Sequence, residues 1–305
     1  MNARPTLELD SLTTEAMDPR FADLDTLEIG ELAALMNEAD AEVPRAVRAA
    51  LPQIVPALEA ASERMLAGGR LVYVGAGTPG RIGVLDASEC PPTFSSPPEQ
   101  VFAIIAGGPA AIVDAVEGAE DDAQAGAAAM DAATIGPLDT VVGIASSGRT
   151  PFVVGAVRRA GELGALAIGL SCNAGTELSR VAAHGIEVIV GPEVITGSTR
   201  LKAGTAQKLV LNMFSTIVMV RLGKTYGSLM VDVHASNEKL RERAVRIVRA
   251  IAHVDRAAAI DALQAAGQSV KVAVVMLARG LGADDARAVL AAAGGRLRAV
   301  LEAGR

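Results

Sequence analysis

LVYVGAGTPGRIGVLDASECPP, residues 71–92, is the stretch on which the fold is decided. Leu71–Val74 reads as a buried strand, Gly75, Gly77 and Gly80 as a turn, and the residues after them as a short helix. Pro91 disfavours helical geometry at Cys90, so the helix is expected to stop there, just beyond Glu89. Strand, glycine turn and helix start together make an anion cradle. The first N–H groups of a helix have no partners within it, and the helix dipole favours negative charge at that end. At the other end, Glu89 meets the negative pole of the dipole, a setting suited to a proton donor. A solvated terminal glutamate is the plainer reading of the same residue.

On either side of this stretch the pattern is regular. Further short apolar runs, Val101–Ala106, Thr140–Ala145, Leu166–Leu170 and Ile186–Val190, alternate with helical stretches near residues 79–88, 109–130, 150–162 and 174–183. Five apolar runs with helical crossovers predict an α/β fold: a five-stranded parallel sheet flanked by helices on both faces. Ligands of such sheets sit beyond the carboxyl ends of the strands, at a switch point. Residues 1–25 look irregular. Helical spacing runs from Thr26 to about Gly68, with Pro44 at an early helical position and Pro52 and Pro56 as kinks or dividers. A long helix is expected over about Thr199–Leu222, and another after a cap at Ser236 or Asn237. Short helices broken at Gly267, Gly280–Gly282 and Gly294–Gly295 predict a small C-terminal bundle. The expected organisation is an N-terminal helical segment (1–62), the sheet domain (63–226) and a C-terminal helical region (227–305).

The chain has 305 residues, half of them hydrophobic and 21% charged, with no Trp and a formal net charge of −7. Nucleic acid would call for a basic face and stacking aromatics, which are missing. An anionic ligand must therefore be held by local hydroxyls and amides. Cys90 and Cys172 have no paired spacing, which points to a reducing compartment. His184, His234 and His253 are scattered without ligand spacing, so no metal is expected. The N-terminus lacks the apolar stretch of a signal peptide. Leu209–Val220 is too short to span a bilayer, which takes about 20 residues. These features predict a cytoplasmic protein with no membrane segment.

Gly75-Ala76-Gly77-Thr78-Pro79-Gly80 matches the dinucleotide pattern G-x-G-x-x-G, which also wants an acid at the end of the second strand. That strand ends Ile104-Ile105-Ala106-Gly107-Gly108 without one, which argues against a dinucleotide. A second cradle, Ala145-Ser146-Ser147-Gly148-Arg149-Thr150-Pro151, follows the third strand. Capping explains one hydroxyl there, not three, and the set suits a phosphate monoester. A third polar stretch, Thr196–Arg200, opens the long helix, and Ser198 serves there either as a cap or as a ligand contact. In the acidic run Asp114–Asp122, Glu117 and Glu120 are both able to face the sheet edge.

These residues resemble the N-acetylmuramic acid 6-phosphate etherases, lyases of the sugar isomerase (SIS) superfamily. The resemblance is carried by DASECPPTF, VEGAED, ASSGRTPF and TGSTRLKAGTAQK, and runs in order from about residue 25 to 245. It implies an SIS-type fold and replacement of the lactyl ether at carbon 3 by water, in cell-wall amino sugar recycling, without metal or other cofactor. It assigns Glu89 as the acid serving departing lactate and Glu120, the second acid of VEGAED, as the base. It places phosphate at Ser146, Ser147, Gly148 and Thr150, with Thr78 and Gly80 of the first loop alongside, and brings Ser198 to the substrate. It also implies a homodimer with shared sites, in which Lys239 reaches phosphate from the partner. Related proteins commonly carry Ser where Pro79 stands, and proline removes both a hydroxyl and an N–H. Two other readings share the sugar phosphate: a regulator that binds it without turnover, and an aldose–ketose isomerase.

Overall fold

β1 (Leu71–Gly75) is buried at all five positions, as a strand covered on both faces must be. It lies between β2 (Val101–Ile105) and β3 (Thr140–Ile144), with Leu71 opposite both Val101 and Thr140. β4 (Leu166–Ser171) and β5 (His184–Glu187) extend the sheet beyond β3, in the order β2-β1-β3-β4-β5 with every pair parallel. The chain leaves β1 toward one edge and returns to β3 on the other side. The switch point therefore falls between β1 and β3, beside the two turns read as cradles. The computed structural model describes residues 12–233 and 237–303.

Among the described residues, two short 3₁₀ turns (Pro19–Phe21 and Leu24–Thr26) and three α-helices precede the sheet: α1 (Ile29–Asp40), α2 (Val43–Ala49) and α3 (Leu51–Leu66). The break between α2 and α3 falls at Ala50, so Pro52 occupies the first turn of α3, where a missing N–H costs nothing, while Pro56 lies inside that helix. The sheet's helices are α4 (Gly77–Phe94), α5 (Ala123–Ala132), α6 (Pro151–Glu162), α7 (Glu177–Val181) and α8 (Lys202–Arg221). Val72, Val74 and Val141 share one core with Phe152, Val153 and Leu178.

Residues 12–88 and 99–215 form one compact unit, and residues 89–98 and 216–303 a second. The second unit holds a short hairpin, β6 (Thr225–Tyr226) and β7 (Leu229–Met230), and the helices α9 (Glu238–Ala252), α10 (Arg256–Ala265), α11 (Val270–Arg279), α12 (Ala283–Ala292) and α13 (Leu297–Glu302). Their core includes Val248, Ala259, Val274, Leu290 and Leu297. Asn237 caps α9 by accepting from the Leu240 N–H at 2.9 Å. Ser236 and His234 lie outside the described residues. The bundle breaks at the expected glycines, and Gly280 ends α11 at φ +62°. No single helix among the described residues is long and apolar enough to cross a membrane.

Four local expectations need correction. α4 does not stop before Pro91; it runs through Pro91 and Pro92 to Phe94. The prolines remove two N–H donors, but the Ser95 N–H still reaches the Pro91 carbonyl at 2.9 Å. Ser95 then leaves the helix at φ +47°, and its hydroxyl donates to the Asp232 carbonyl. The stretch 109–130 is not one helix. Two short 3₁₀ turns, Pro109–Ile112 and Ala119–Asp121, precede α5, and Gly118 at φ +74° breaks the run. β5 begins two residues before the apolar run Ile186–Val190 and ends inside it, because its pairing to β4 extends from His184 to Glu187. α8 starts at Lys202 rather than Thr199.

The starts of β1 and β3 are tied by Asp139, which accepts from the Arg70 N–H and Nε at 3.0 Å, from Arg70 Nη2 at 2.6 Å and from the Gly136 N–H at 2.9 Å. Burial alone would raise the Asp139 carboxyl, but these donors outweigh it and hold it below the usual aspartate value of 3.8. Its stabilising contribution is thus complete above that value and is lost as pH falls through the lower folded-state value. Asp139→Asn is expected to cost about 1.5–3 kcal/mol at neutral pH. The difference in melting temperature between the two proteins should shrink as pH drops below 3.8; a gap that is constant with pH would refute this.

Candidate functional site

The first turn is built on a close approach of backbone to backbone. A Cβ on Gly75 would lie 2.5 Å from the Gly80 nitrogen, and one on Gly80 would lie 2.6 Å from Ile105 Cγ1. α4 begins at Gly77, so the N–H groups without helical partners are those of Gly77 and Thr78, Pro79 having none. Gly80 stands at the fourth helical position, where its N–H closes the first turn; it shapes the loop by lacking a side chain. Gly77 is exposed and Thr78 half-buried.

That terminus opens onto a cavity of about 240 Å³, lined by Ala76, Gly77, Arg81 and the acidic segment that includes Glu117 and Glu120. Arg81 fixes the opposite wall by donating to the carbonyls of Ile112 (2.9 Å) and Asp114 (3.2 Å). The structure thus brings Glu120 and the α4 terminus to one cavity. Glu117 lines it equally, so geometry leaves both acids in place. Glu89 lies on the exposed side of α4, five residues before the helix end. The helix-end argument therefore does not reach it. Three residues earlier, buried Asp86 accepts from the Tyr73 hydroxyl (2.7 Å), Asn212 Nδ2 (2.6 Å) and the Ser215 hydroxyl (3.0 Å). Burial raises its pKa against those bonds. This network fastens α4 to β1 and α8.

The second turn follows β3 and does not line that cavity. Gly148 sits at φ +64°, its N–H bonded to the Ala145 carbonyl at 2.9 Å. A Cβ there would lie 2.4 Å from Thr176 Cβ. Thr176 cannot yield freely, because it caps α7 through the Ser179 N–H. Gly148→Ala is therefore expected to cost about 1–3 kcal/mol from the left-handed backbone alone, with the clash added. A melting temperature within a degree of wild type would contradict that. Ser147 Oγ accepts from the Arg149 N–H at 3.2 Å. Thr150 precedes α6 without a side-chain capping bond, so its hydroxyl is not spent on its own helix. Ser146 is held at two points. Its carbonyl accepts from the Cys172 N–H (3.0 Å) and Asn173 Nδ2 (2.9 Å), and its hydroxyl from Gln207 Nε2 (2.9 Å). Asn173 in turn clamps the Thr13 N–H at 2.7 Å and the Thr14 hydroxyl at 3.0 Å. Burial pushes the neighbouring Cys172 thiol up to about 12, so it is no nucleophile at neutral pH.

At the third stretch neither Ser198 nor Thr199 caps α8. Glu193 does, its two carboxylate oxygens each accepting at 2.9 Å, from the N–H groups of Lys202 and Ala203. Burial raises the Glu193 pKa; those two N–H groups and the Lys202 charge draw it back in part. Ser198 is half-buried, its N–H bonded to the Ile195 carbonyl. Lys202 is fully buried, its ammonium 3.4 Å from Glu42. Lys239 is exposed on the first turn of α9. Asp86, Asn173 and Gln207 escaped the sequence reading because each acts across a long stretch of chain, leaving no local spacing to find; Glu193 escaped it because it caps α8 from nine residues upstream, outside the usual cap position.

Residues 53–160 match the glucokinase regulatory protein N-terminal SIS domain, and residues 121–217 match the SIS domain. The N-acetylmuramic acid 6-phosphate etherase of Rubrobacter xylanophilus is 57% identical over 297 residues, covering 97% of this chain and 98% of that one. The protein of the same name from Streptomyces coelicolor is 55% identical over 296 residues, covering 97% and 95%. That from Mycolicibacterium smegmatis is 51% identical over 298 residues, covering 98% and 100%. Identity above one half along nearly the whole of each chain settles the kinship: the chain belongs to the N-acetylmuramic acid 6-phosphate etherase family, on an SIS-type sheet.

Proposed function

We propose that the protein is a carbon–oxygen lyase that cleaves the lactyl ether of N-acetylmuramic acid 6-phosphate with water, giving N-acetylglucosamine 6-phosphate and D-lactate in the recycling of cell-wall amino sugars. Near full-length identity to proteins of that name supports the reaction. The single geometric observation in its favour is the cavity where Glu120 meets the start of α4.

In the open-chain sugar, carbon 2 lies beside the aldehyde, so a positioned carboxylate can take its proton. Glu120 is that base. The electron pair moves into a carbon 2–carbon 3 double bond and expels lactate, which Glu89 protonates as it leaves. Water then adds at carbon 3 of the unsaturated aldehyde, giving one proton to a carboxylate while carbon 2 regains another. Two carboxyl groups in opposite protonation states carry both halves. The 6-phosphate sits on Ser146, Ser147, Gly148 and Thr150, with Thr78 and Gly80 of the first turn beside it and Ser198 on the sugar. The functional assembly in this reading is a homodimer in which Lys239 of a neighbouring copy approaches phosphate.

The test is D-lactate release from N-acetylmuramic acid 6-phosphate in ¹⁸O-water, with the label expected in the carbon 3 hydroxyl of the product. Label in lactate instead would overturn the elimination. The match to the glucokinase regulatory protein's SIS domain favours one second reading, a regulator that binds the sugar phosphate without turnover. Tight binding with no lactate formed would select it.

A further inference from the structure

Gln207 lies on α8 with no exposed surface, yet its side-chain oxygen has no hydrogen-bond partner among the described residues. A buried amide normally satisfies both ends. This one spends an N–H on the Ser146 hydroxyl, at 2.9 Å. We propose that Gln207 is a positioning residue for the substrate's phosphate: it occupies a lone pair of the Ser146 hydroxyl and so directs that hydroxyl's hydrogen to a phosphate oxygen. The inference rests on the reading of the Ser146–Thr150 turn as the phosphate cradle.

A serine hydroxyl has one hydrogen to give and two lone pairs to accept with. Left alone, it turns to suit any neighbour. Here the main chain of Ser146 is fixed through its carbonyl by Cys172 and Asn173, so only the hydroxyl rotor remains. Gln207 is the hydroxyl's one partner among the described residues, and it donates. The hydroxyl hydrogen is therefore left for an acceptor outside the protein. The reversed amide would take that hydrogen for itself and leave an N–H unpaired. A donor-only contact behind Ser146 converts an ambivalent hydroxyl into a donor, which is what an oxygen-rich anion needs. Hydrogen bonds to charged groups are stronger than neutral ones, so the effect falls on the anion's affinity.

The experiment compares Gln207→Leu, Gln207→Glu, Ser146→Ala and the Gln207→Leu/Ser146→Ala double variant. KM is measured for the muramic acid phosphate, and the inhibition constant for inorganic phosphate. Gln207→Leu should raise both about tenfold, the scale of one hydrogen bond to a charged group, with the change mainly in KM rather than kcat. The double variant should bind no worse than Ser146→Ala alone. Gln207→Glu presents only acceptors when ionised. Its KM should exceed that of Gln207→Leu at pH 8 and recover toward it, relative to wild type, as pH falls and the acid becomes a donor. A structural role alone would not produce that pH dependence. Multiplying penalties in the double variant, or a Gln207→Leu protein with unchanged phosphate inhibition, would overturn the proposal. Unchanged phosphate inhibition in Ser146→Ala would instead remove the cradle reading itself. If Gln207→Leu fails to fold, Gln207→Met keeps the volume and carries the same expectation.

Discussion

Glu120→Gln is expected to lower the rate of lactate release by about 10²–10⁴-fold, the range for removing a general base. Glutamine keeps the shape of the side chain and its reach into the cavity but cannot take a proton. The loss should therefore appear in kcat more than in substrate affinity. The same variant should stop exchange of the carbon 2 hydrogen with deuterated solvent, since that exchange is the base's own step. Glu117→Gln is the decisive control, because Glu117 lines the same cavity from three residues earlier. It should retain activity within about threefold, the scale of a surface substitution of less than 1 kcal/mol. If Glu117→Gln stops exchange and Glu120→Gln does not, the base is Glu117.

Glu89→Gln should be equally damaging to lactate release, again about 10²–10⁴-fold, but for a different reason. Lactate leaves poorly as a bare alkoxide, so the carbon 3–oxygen bond waits for a proton. Carbon 2 exchange with solvent should persist in this variant while lactate formation fails. A pair of variants that separate in this way would identify two steps with two owners. Loss of exchange in both would make the assignment of an acid to Glu89 untenable, as would full lactate release from Glu89→Gln. Glu89 is exposed, so the substitution carries little folding penalty and the kinetics can be read directly.

Much of this was legible in the chain because it rests on local rules. Strands β1 to β4 lie within a residue of the apolar runs, since continuous burial on both faces leaves continuous hydrophobicity. The later helix breaks of the second unit fall at glycines for a similarly local reason, whereas α9 ends on His253 at φ +56°. β5 was displaced because its first pairs with β4 fall on His184 and Gly185, which carry no apolar signal, and its last bond to β4 is from the Val188 N–H to the Ser171 carbonyl, short of Val190. The end of α4 was misjudged because proline rules describe tendencies of a helix in isolation; the Ser95 bonds at its far end hold the last turn in place. The two turns near the switch point were readable as glycine and hydroxyl clusters. What lies behind them was not. Gln207 is 61 residues from Ser146, and Asn173 is 160 from Thr13, separations that no periodicity encodes.

Glu193 illustrates the cost of reading helix starts alike. Three polar turns in this chain open helices, and the third reads as a cap or a ligand contact at Ser198. The Glu193 side chain, fully buried, meets the first N–H groups of α8 from within the fold. The first N–H groups of that helix are thus already taken, so a phosphate approaching it would find them spent. In the proposed reading the place for phosphate is thus chosen by subtraction: one helix start is filled at the moment of folding, and the two that follow β1 and β3 are left open to the ligand.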